Sequence, residues 1–214
     1  CHGSESLAMG EKIHSEAVKS GLLGKSVVLG NAIIDMYVKC NMLEKGKGVF
    51  EDELLERDTA SWNTMINGYS RHGLDHEAVG LFLRMKEERL SPPNAITFVC
   101  VLKACGSIGA IEIGRRLHDE IIREGFTLDV VLGSAVVDMY AGSGCIKEAL
   151  SIFELVPCED CALWSAIISG YAQQGHYEHV FLCLRIMLKQ GVKPNAAIFA
   201  SILSACSNAG LTVE

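Results

Sequence analysis

No apolar run in this chain approaches the roughly 20 residues that a helical membrane span requires, so no membrane partner is expected. Sustained period-two alternation is also missing, which argues against a β-sheet. Positive charge is short as well. The net charge is −7 and the sequence pI near 5.5, whereas a nucleic-acid binder ordinarily carries a basic patch or a high pI. The deficit is not decisive, because a repeat protein offers one face to a ligand and the sign on that face outweighs the total. Neither an initiator Met nor a charged-then-apolar leader precedes Cys1, so the sequence reads as a fragment whose targeting segment, if any, lies elsewhere. The nine cysteines are odd in number and scattered through apolar helical pattern, the usage of small buried hydrophobes, and no disulfide framework is expected.

Apolar content, by contrast, is ample: 49% of the 214 residues, enough for a large core and too much for a disordered chain. It is also periodic on a long scale. The segment Val27 to Tyr37 returns as Val130 to Tyr140 with eight identities in eleven. Trp62 to Gly73 returns as Trp164 to Gly175, Phe98 to Gly109 as Phe199 to Gly210, and Cys1 to His14 resembles Cys105 to His118. Those offsets of 101 to 104 residues each divide into three weakly similar repeats of about 31 to 36 residues, at 1–26 (partial), 27–58, 59–94, 95–129, 130–160, 161–195 and 196–214 (partial). Repeats 27–58 and 59–94 each carry one extra residue, around Glu53 and Ser91.

Within 59–94, Trp62, Met65, Ile66 and Tyr69 fall at helical spacing, and after Gly73 so do Ala78, Leu81, Phe82 and Met85. Two amphipathic helices follow, with Gly73, Gly175, Pro93-Asn94 and Pro194-Asn195 as the breaks. A single hairpin cannot bury both of its faces, so neighbours must stack. The expected fold is all-α, a solenoid of helix-turn-helix repeats.

These residues resemble a known family. Ser61 to Tyr69, Val192-Lys193-Pro194-Asn195, Val27 to Tyr37 and Leu102 to Cys105 are similar to pentatricopeptide repeat proteins of the plant class that alternates P, L and S repeats. The resemblance covers the whole chain and identifies 27–58 and 130–160 with S repeats, 59–94 and 161–195 with P repeats, 95–129 with an L repeat, and the ends 1–26 and 196–214 with partial L repeats. The tetratricopeptide period and its own Trp, Gly and Tyr spacing are not seen. The resemblance implies a right-handed superhelix. It further implies a sequence-specific single-stranded RNA-binding module of a plant mitochondrion or chloroplast, guiding RNA editing or RNA processing, with no catalysis, no cofactor and no small-molecule substrate of its own.

In this family each base is read by side chains of one repeat. The resemblance carries the reading role to the fifth positions Asn31, Asn63, Val99, Ser134 and Ser165, with the last-position partners Asp58, Asn94, Asp129, Asp160 and Asn195. Second-position residues Val28, Ala60, Ile96, Val131 and Ala162 are assigned to pack against bases, and Lys39 and Arg71 to meet phosphates. Taken without the resemblance, the same Asn, Asp and Ser residues are ordinary helix caps and turn formers. The family's pairing rule gives a core of 5′-UYNGA-3′: U for Asn31 with Asp58, a pyrimidine for Asn63 with Asn94, no preference for Val99 with Asp129, G for Ser134 with Asp160, and A for Ser165 with Asn195. The apolar fifth positions of the L repeats, Val99 and Ala200, suit proteins of an editing complex better than a base. A helical scaffold that binds proteins alone is the competing function.

One constellation points elsewhere. His118-Asp119-Glu120 with Pro157-Cys158-Glu159-Asp160-Cys161 fits the zinc deaminase signature. Position argues against it: His118 has a repeat twin, His14, without a matching Cys pair, and a deaminase site needs a sheet. Trp62, Trp164 and Tyr37, Tyr69, Tyr140 and Tyr171 lie on apolar stripes and are expected to pack between helices. The acidic runs Glu51-Asp52-Glu53 and Glu87-Glu88 are expected to be solvated.

Overall fold

The computed structural model describes residues 2–156 and 161–208, with side chains described for 7–156 and 161–207. Among the described residues there are twelve α-helices and no strand. The chain forms two compact bodies, residues 1–104 and 105–214. In the first, α1 (His2–Lys19) packs on α2 (Val27–Lys39), α2 on α3 (Leu43–Gly48), and α4 (Thr59–Arg71) on both α2 and α5 (Asp75–Glu88). α6 (Ala95–Ile108) follows, its last four residues belonging to the second body. There α7 (Ile111–Arg123) packs on α8 (Val130–Gly142), α8 on α9 (Ile146–Phe153), α10 (Cys161–Gln173) on α8, α11 (Tyr177–Lys189) and α12 (Ala196–Asn208), and α11 on α12. The leading helices α2 and α4, and α8, α10 and α12, thus lie side by side, and the trailing helices α3, α5, α9 and α11 fold back on α2, α4, α8 and α10.

The hairpin turns follow from backbone chemistry. Gly73 at φ +72° and Gly175 at φ +74° end α4 and α10 in the left-handed region, where a Cβ is strained. The second helix of 27–58 holds a finer adjustment. After α3 the chain makes a π turn over Val49–Glu53, with the Leu54 N–H donating to the Val49 carbonyl at 3.1 Å, a five-residue step that takes up one additional residue.

Packing is centred on the aromatics. Trp62 is 1% exposed and meets Phe50 edge to face with ring centres 5.0 Å apart; Trp164 repeats the arrangement on Phe153 at 4.8 Å. Tyr37, Tyr69, Tyr140 and Tyr171 are buried too. Each such side chain contributes on the order of 1.5–3 kcal/mol by leaving water.

The expectation of solvated acidic runs is corrected at three residues, Glu51, Glu53 and Glu88. Arg84 lies with its guanidinium carbon 5.0 Å from the Trp62 ring centre, and its Nη1 and Nη2 donate to the two Glu51 carboxylate oxygens at 2.6 and 2.9 Å. Glu88 accepts from Arg84 Nε at 3.1 Å, and Glu53 Oε2 lies 2.8 Å from His14 Nε2. An arginine stacked over the core aromatics requires counter-charge, and Glu51 and Glu88 supply it.

Candidate functional site

The candidate site is built where hairpins begin. Asp58 is the N-cap of α4, and its Oδ1 accepts the Ser61 N–H at 2.8 Å. Asp129 caps α8 by accepting from Val131 and Leu132 N–H at 3.1 and 2.9 Å. Asn94 Oδ1 accepts the Thr97 N–H at 3.1 Å at the start of α6, and Asn195 Oδ1 the Ile198 N–H at 3.0 Å at the start of α12. The capping role of the last positions is therefore present.

It does not exhaust these side chains. Asn31 Nδ2 donates to Asp58 Oδ1 at 3.0 Å, and Asn63 Nδ2 donates to Asn94 Oδ1 at 3.1 Å. Fifth and last positions, 27 and 31 residues apart in sequence, thus form side-chain pairs at the starts of successive hairpins. Burial would raise the Asp58 pKa, but the Ser61 N–H, the Asn31 amide, the Ser61 hydroxyl and the Ala60 N–H together hold the carboxyl below its ordinary range. The Asn31, Ser61 N–H and Ser61 hydroxyl bonds all converge on Oδ1, so Oδ2 accepts none of them.

Amide orientation in the second pair follows from one backbone donor. The Thr97 N–H fixes the Asn94 atom facing it as oxygen, so the Asn63 atom bonded to that oxygen must be the NH2 group. Asn63 Oδ1 then accepts the Thr97 hydroxyl at 2.7 Å. Thr97 is 0% exposed and Asn63 9%. The residues at the third position, Ser61 and Thr97, were not among the candidates from sequence. Their signal was available in Asp58-x-x-Ser61 and Asn94-x-x-Thr97, a spacing that lets a hydroxyl and a cap bond reciprocally.

The remaining candidates are less tightly held. Ser134 Oγ donates to the Val130 carbonyl at 2.5 Å, and its partner Asp160 lies outside the described residues. Ser165 is half-buried on α10, while Asn195 is exposed with its Oδ1 given to the cap. Val99 is half-buried in the first body, and Asp129 belongs to the second. Of the second positions, Val28 is 78% exposed, Ile96 61% and Val131 65%, with Ala60 and Ala162 exposed as well. Each lies three residues before a fifth position and so shares its helix face. Lys39 is exposed but ion-paired with Asp35 at 2.6 Å, and Arg71 is exposed. His118 Nδ1 lies 3.1 Å from the Tyr140 hydroxyl, as its twin His14 lies 2.9 Å from Tyr37. The histidine thus packs between helices of adjacent hairpins in both copies. Cys158 and Glu159 lie outside the described residues.

Comparison with known proteins agrees with this geometry. The model of the PPR repeat family matches residues 57–107, that of the pentatricopeptide repeat domain 159–209, and that of the PPR repeat 31–52 and 134–161. A chloroplastic pentatricopeptide repeat-containing protein of Arabidopsis thaliana is 35% identical over 97% of this chain and 33% of its own length. A mitochondrial one from the same plant is 37% identical over 100% of this chain and 31% of its own length. The chain thus spans about a third of these relatives. Among solved structures, the pentatricopeptide repeat protein PPR10 in complex with an 18-nt psaJ RNA element superposes with a TM-score of 0.75 at 17% identity, over 98% of this chain and 31% of that one. The fold is accordingly an all-α solenoid of helix-turn-helix repeats.

Proposed function

The chain belongs to the pentatricopeptide repeat family, and from that premise we propose that it binds single-stranded RNA, each repeat addressing one base through its fifth and last side chains, without acting on the RNA chemically. The observation that carries this reading is the pairing of Asn31 on α2 with Asp58 at the start of α4, and of Asn63 on α4 with Asn94 at the start of α6, with Val28 and Ala60 exposed on the same faces of α2 and α4. Short polar pairs offer donors and acceptors to a base edge, and the apolar second positions offer it a surface to lie against. The first pair presents a carboxylate oxygen, Oδ2, suited to the imino N–H of U.

The repeats are read as S, P, L, S and P over 27–58, 59–94, 95–129, 130–160 and 161–195, with partial L repeats at 1–26 and 196–214, and the preferred core as 5′-UYNGA-3′. PPR10 in complex with RNA, and the relatives named chloroplastic and mitochondrial, support an RNA partner in a plant organelle. The wider role is that of the guiding part of an editing or processing factor, with the L repeats meeting its protein partners. Filter binding against pooled RNA at fixed salt tests the reading. Enrichment of the core supports it, whereas retention without enrichment of any sequence, or no retention, leaves a protein-binding scaffold.

A further inference from the structure

We propose that His118 is an acid-sensitive pin in the second body: neutral, it holds α7 on α8, and protonated, it loosens that contact, because the carboxylate that balances its twin His14 has no counterpart among the described residues. The device stands apart from the RNA reading, although α8 also carries Val131 and Ser134 of the candidate site.

The two histidines sit alike on their tyrosines. His14 on α1 meets Tyr37 of α2 edge to face, with ring centres 5.5 Å apart and Nδ1 2.9 Å from the phenol oxygen; His118 on α7 meets Tyr140 of α8 at 5.7 and 3.1 Å. Their second nitrogens differ. His14 Nε2 lies 2.8 Å from Glu53 Oε2, and Glu53 closes the π turn that takes up the surplus residue of 27–58. Repeat 130–160 has no surplus residue, α9 ends at Phe153 with no π turn among the described residues, and no described carboxylate meets His118 Nε2.

The titratable and charged groups around the half-buried His118 ring are Tyr140 on α8, Arg115 and Asp119 on its own helix, and Cys145 and Glu148 at the start of α9. Arg115 and Glu148 pair with each other at 3.0 Å. Burial pushes His118 below the ordinary histidine range, against the smaller opposing pull of Asp119. Burial also pushes the Tyr140 phenol up, so it keeps its proton. A neutral ring accepts that proton at Nδ1, whereas an imidazolium carries hydrogen on both nitrogens and sets one of them against the phenol's. A histidine depressed in the folded state binds fewer protons than it does in the unfolded chain. Its contribution to stability is therefore intact above the unfolded histidine pKa and is lost as pH falls through the folded value.

Hydrogen exchange of the whole chain at pH ~7 and pH ~5, the span over which histidine changes charge, tests the pin when expressed as protection factors for the wild type, His118→Phe and Glu53→Gln. In the wild type, α7 and α8 should lose protection on acidification while α1 and α2 keep theirs. His118→Phe retains an aromatic ring that cannot titrate, and it should abolish the pH dependence of α7 and α8 whatever it does to their protection at neutral pH. Glu53→Gln leaves His14 without its counter-charge, and α1 and α2 should then lose protection in acid as α7 and α8 do. Equal protection of α7 and α8 at both pH values in the wild type, or the same loss in His118→Phe, would overturn the proposal, as would α1 and α2 that stay unmoved in Glu53→Gln. NMR titration of the wild type needs no variant to fold: His118 ring signals moving with a midpoint below the ordinary histidine value of about 6.5 support the pin, and a midpoint at or above it overturns it.

Discussion

A Cβ placed on Gly142 would lie 2.9 Å from the carbonyl oxygen of Gly106 and 3.3 Å from its carbonyl carbon. Two helices of the second body meet here through bare backbone, and no flexible side chain can move aside. Gly142→Ala should destabilise the protein by about 1–3 kcal/mol, the usual range for overpacking. Gly80, in the middle of α5 with nothing within 4 Å of its virtual Cβ, provides the control. Gly80→Ala should raise stability by up to about 1 kcal/mol through helix propensity alone. Thermal melts that rank the two variants the other way would contradict this account.

The base-reading assignment is exposed to a swap. Ser165→Asn combined with Asn195→Asp recreates the Asn31–Asp58 pair on α10 and at the cap of α12. Competition binding should show the 3′ preference of the core moving from A to U, at a cost of about 1–3 kcal/mol for the wrong base, with the other positions unaffected. Asp caps a helix as well as Asn, so stability should hold.

Phosphate contact should show itself in salt. Arg71→Gln should weaken binding about equally across RNA sequences and lower the slope of log affinity against log salt by about 1. Lys39 is already neutralised by Asp35 at 2.6 Å. Lys39→Gln should therefore change the slope less than Arg71→Gln does, and titrations at several salt concentrations compare the two.

Acid sensitivity should trace to Glu51. The hydrogen bonds from Arg84 hold its carboxyl below the ordinary range against the opposing effect of burial. A carboxylate depressed in the folded state stabilises above its unfolded pKa and loses that contribution as pH falls through the folded value. The wild type should accordingly lose melting temperature between neutral pH and pH ~3 more steeply than Glu51→Gln, whose side chain cannot titrate. Parallel melting curves for the two proteins across that range would refute the assignment.

Helix identity was legible in sequence because the spacing of Trp62, Met65, Ile66 and Tyr69 has a single helical reading, and the turns at Gly73 and Gly175 because only glycine takes a positive φ cheaply. The four last-position caps within the described residues could be named from residue type and position together. What pattern could not supply was partnership. Glu51 looks the same in sequence whether it faces water or Arg84, since Arg84 lies 33 residues away. Thr97 escaped for a related reason: a buried threonine on an apolar helix reads as a β-branched core residue, and its polar role exists only once Asn63 is folded against it. The π turn at Val49–Glu53 was visible as one surplus residue near Glu53, without the means by which the helix absorbs it.

On the RNA reading proposed above, the last position serves twice, and this constrains how such a chain can evolve. Asp58, Asn94, Asp129 and Asn195 each start the next helix, and a helix start accepts little besides Asp, Asn, Ser, Thr and Gly without losing about 1 kcal/mol. An alphabet written at these positions is limited to a handful of letters by the mechanics of the helix that follows, before any base is considered. New specificities must then come from the neighbours of the letter rather than from the letter itself. A mutation that spells something outside the alphabet is felt first as a loosened hairpin one repeat downstream.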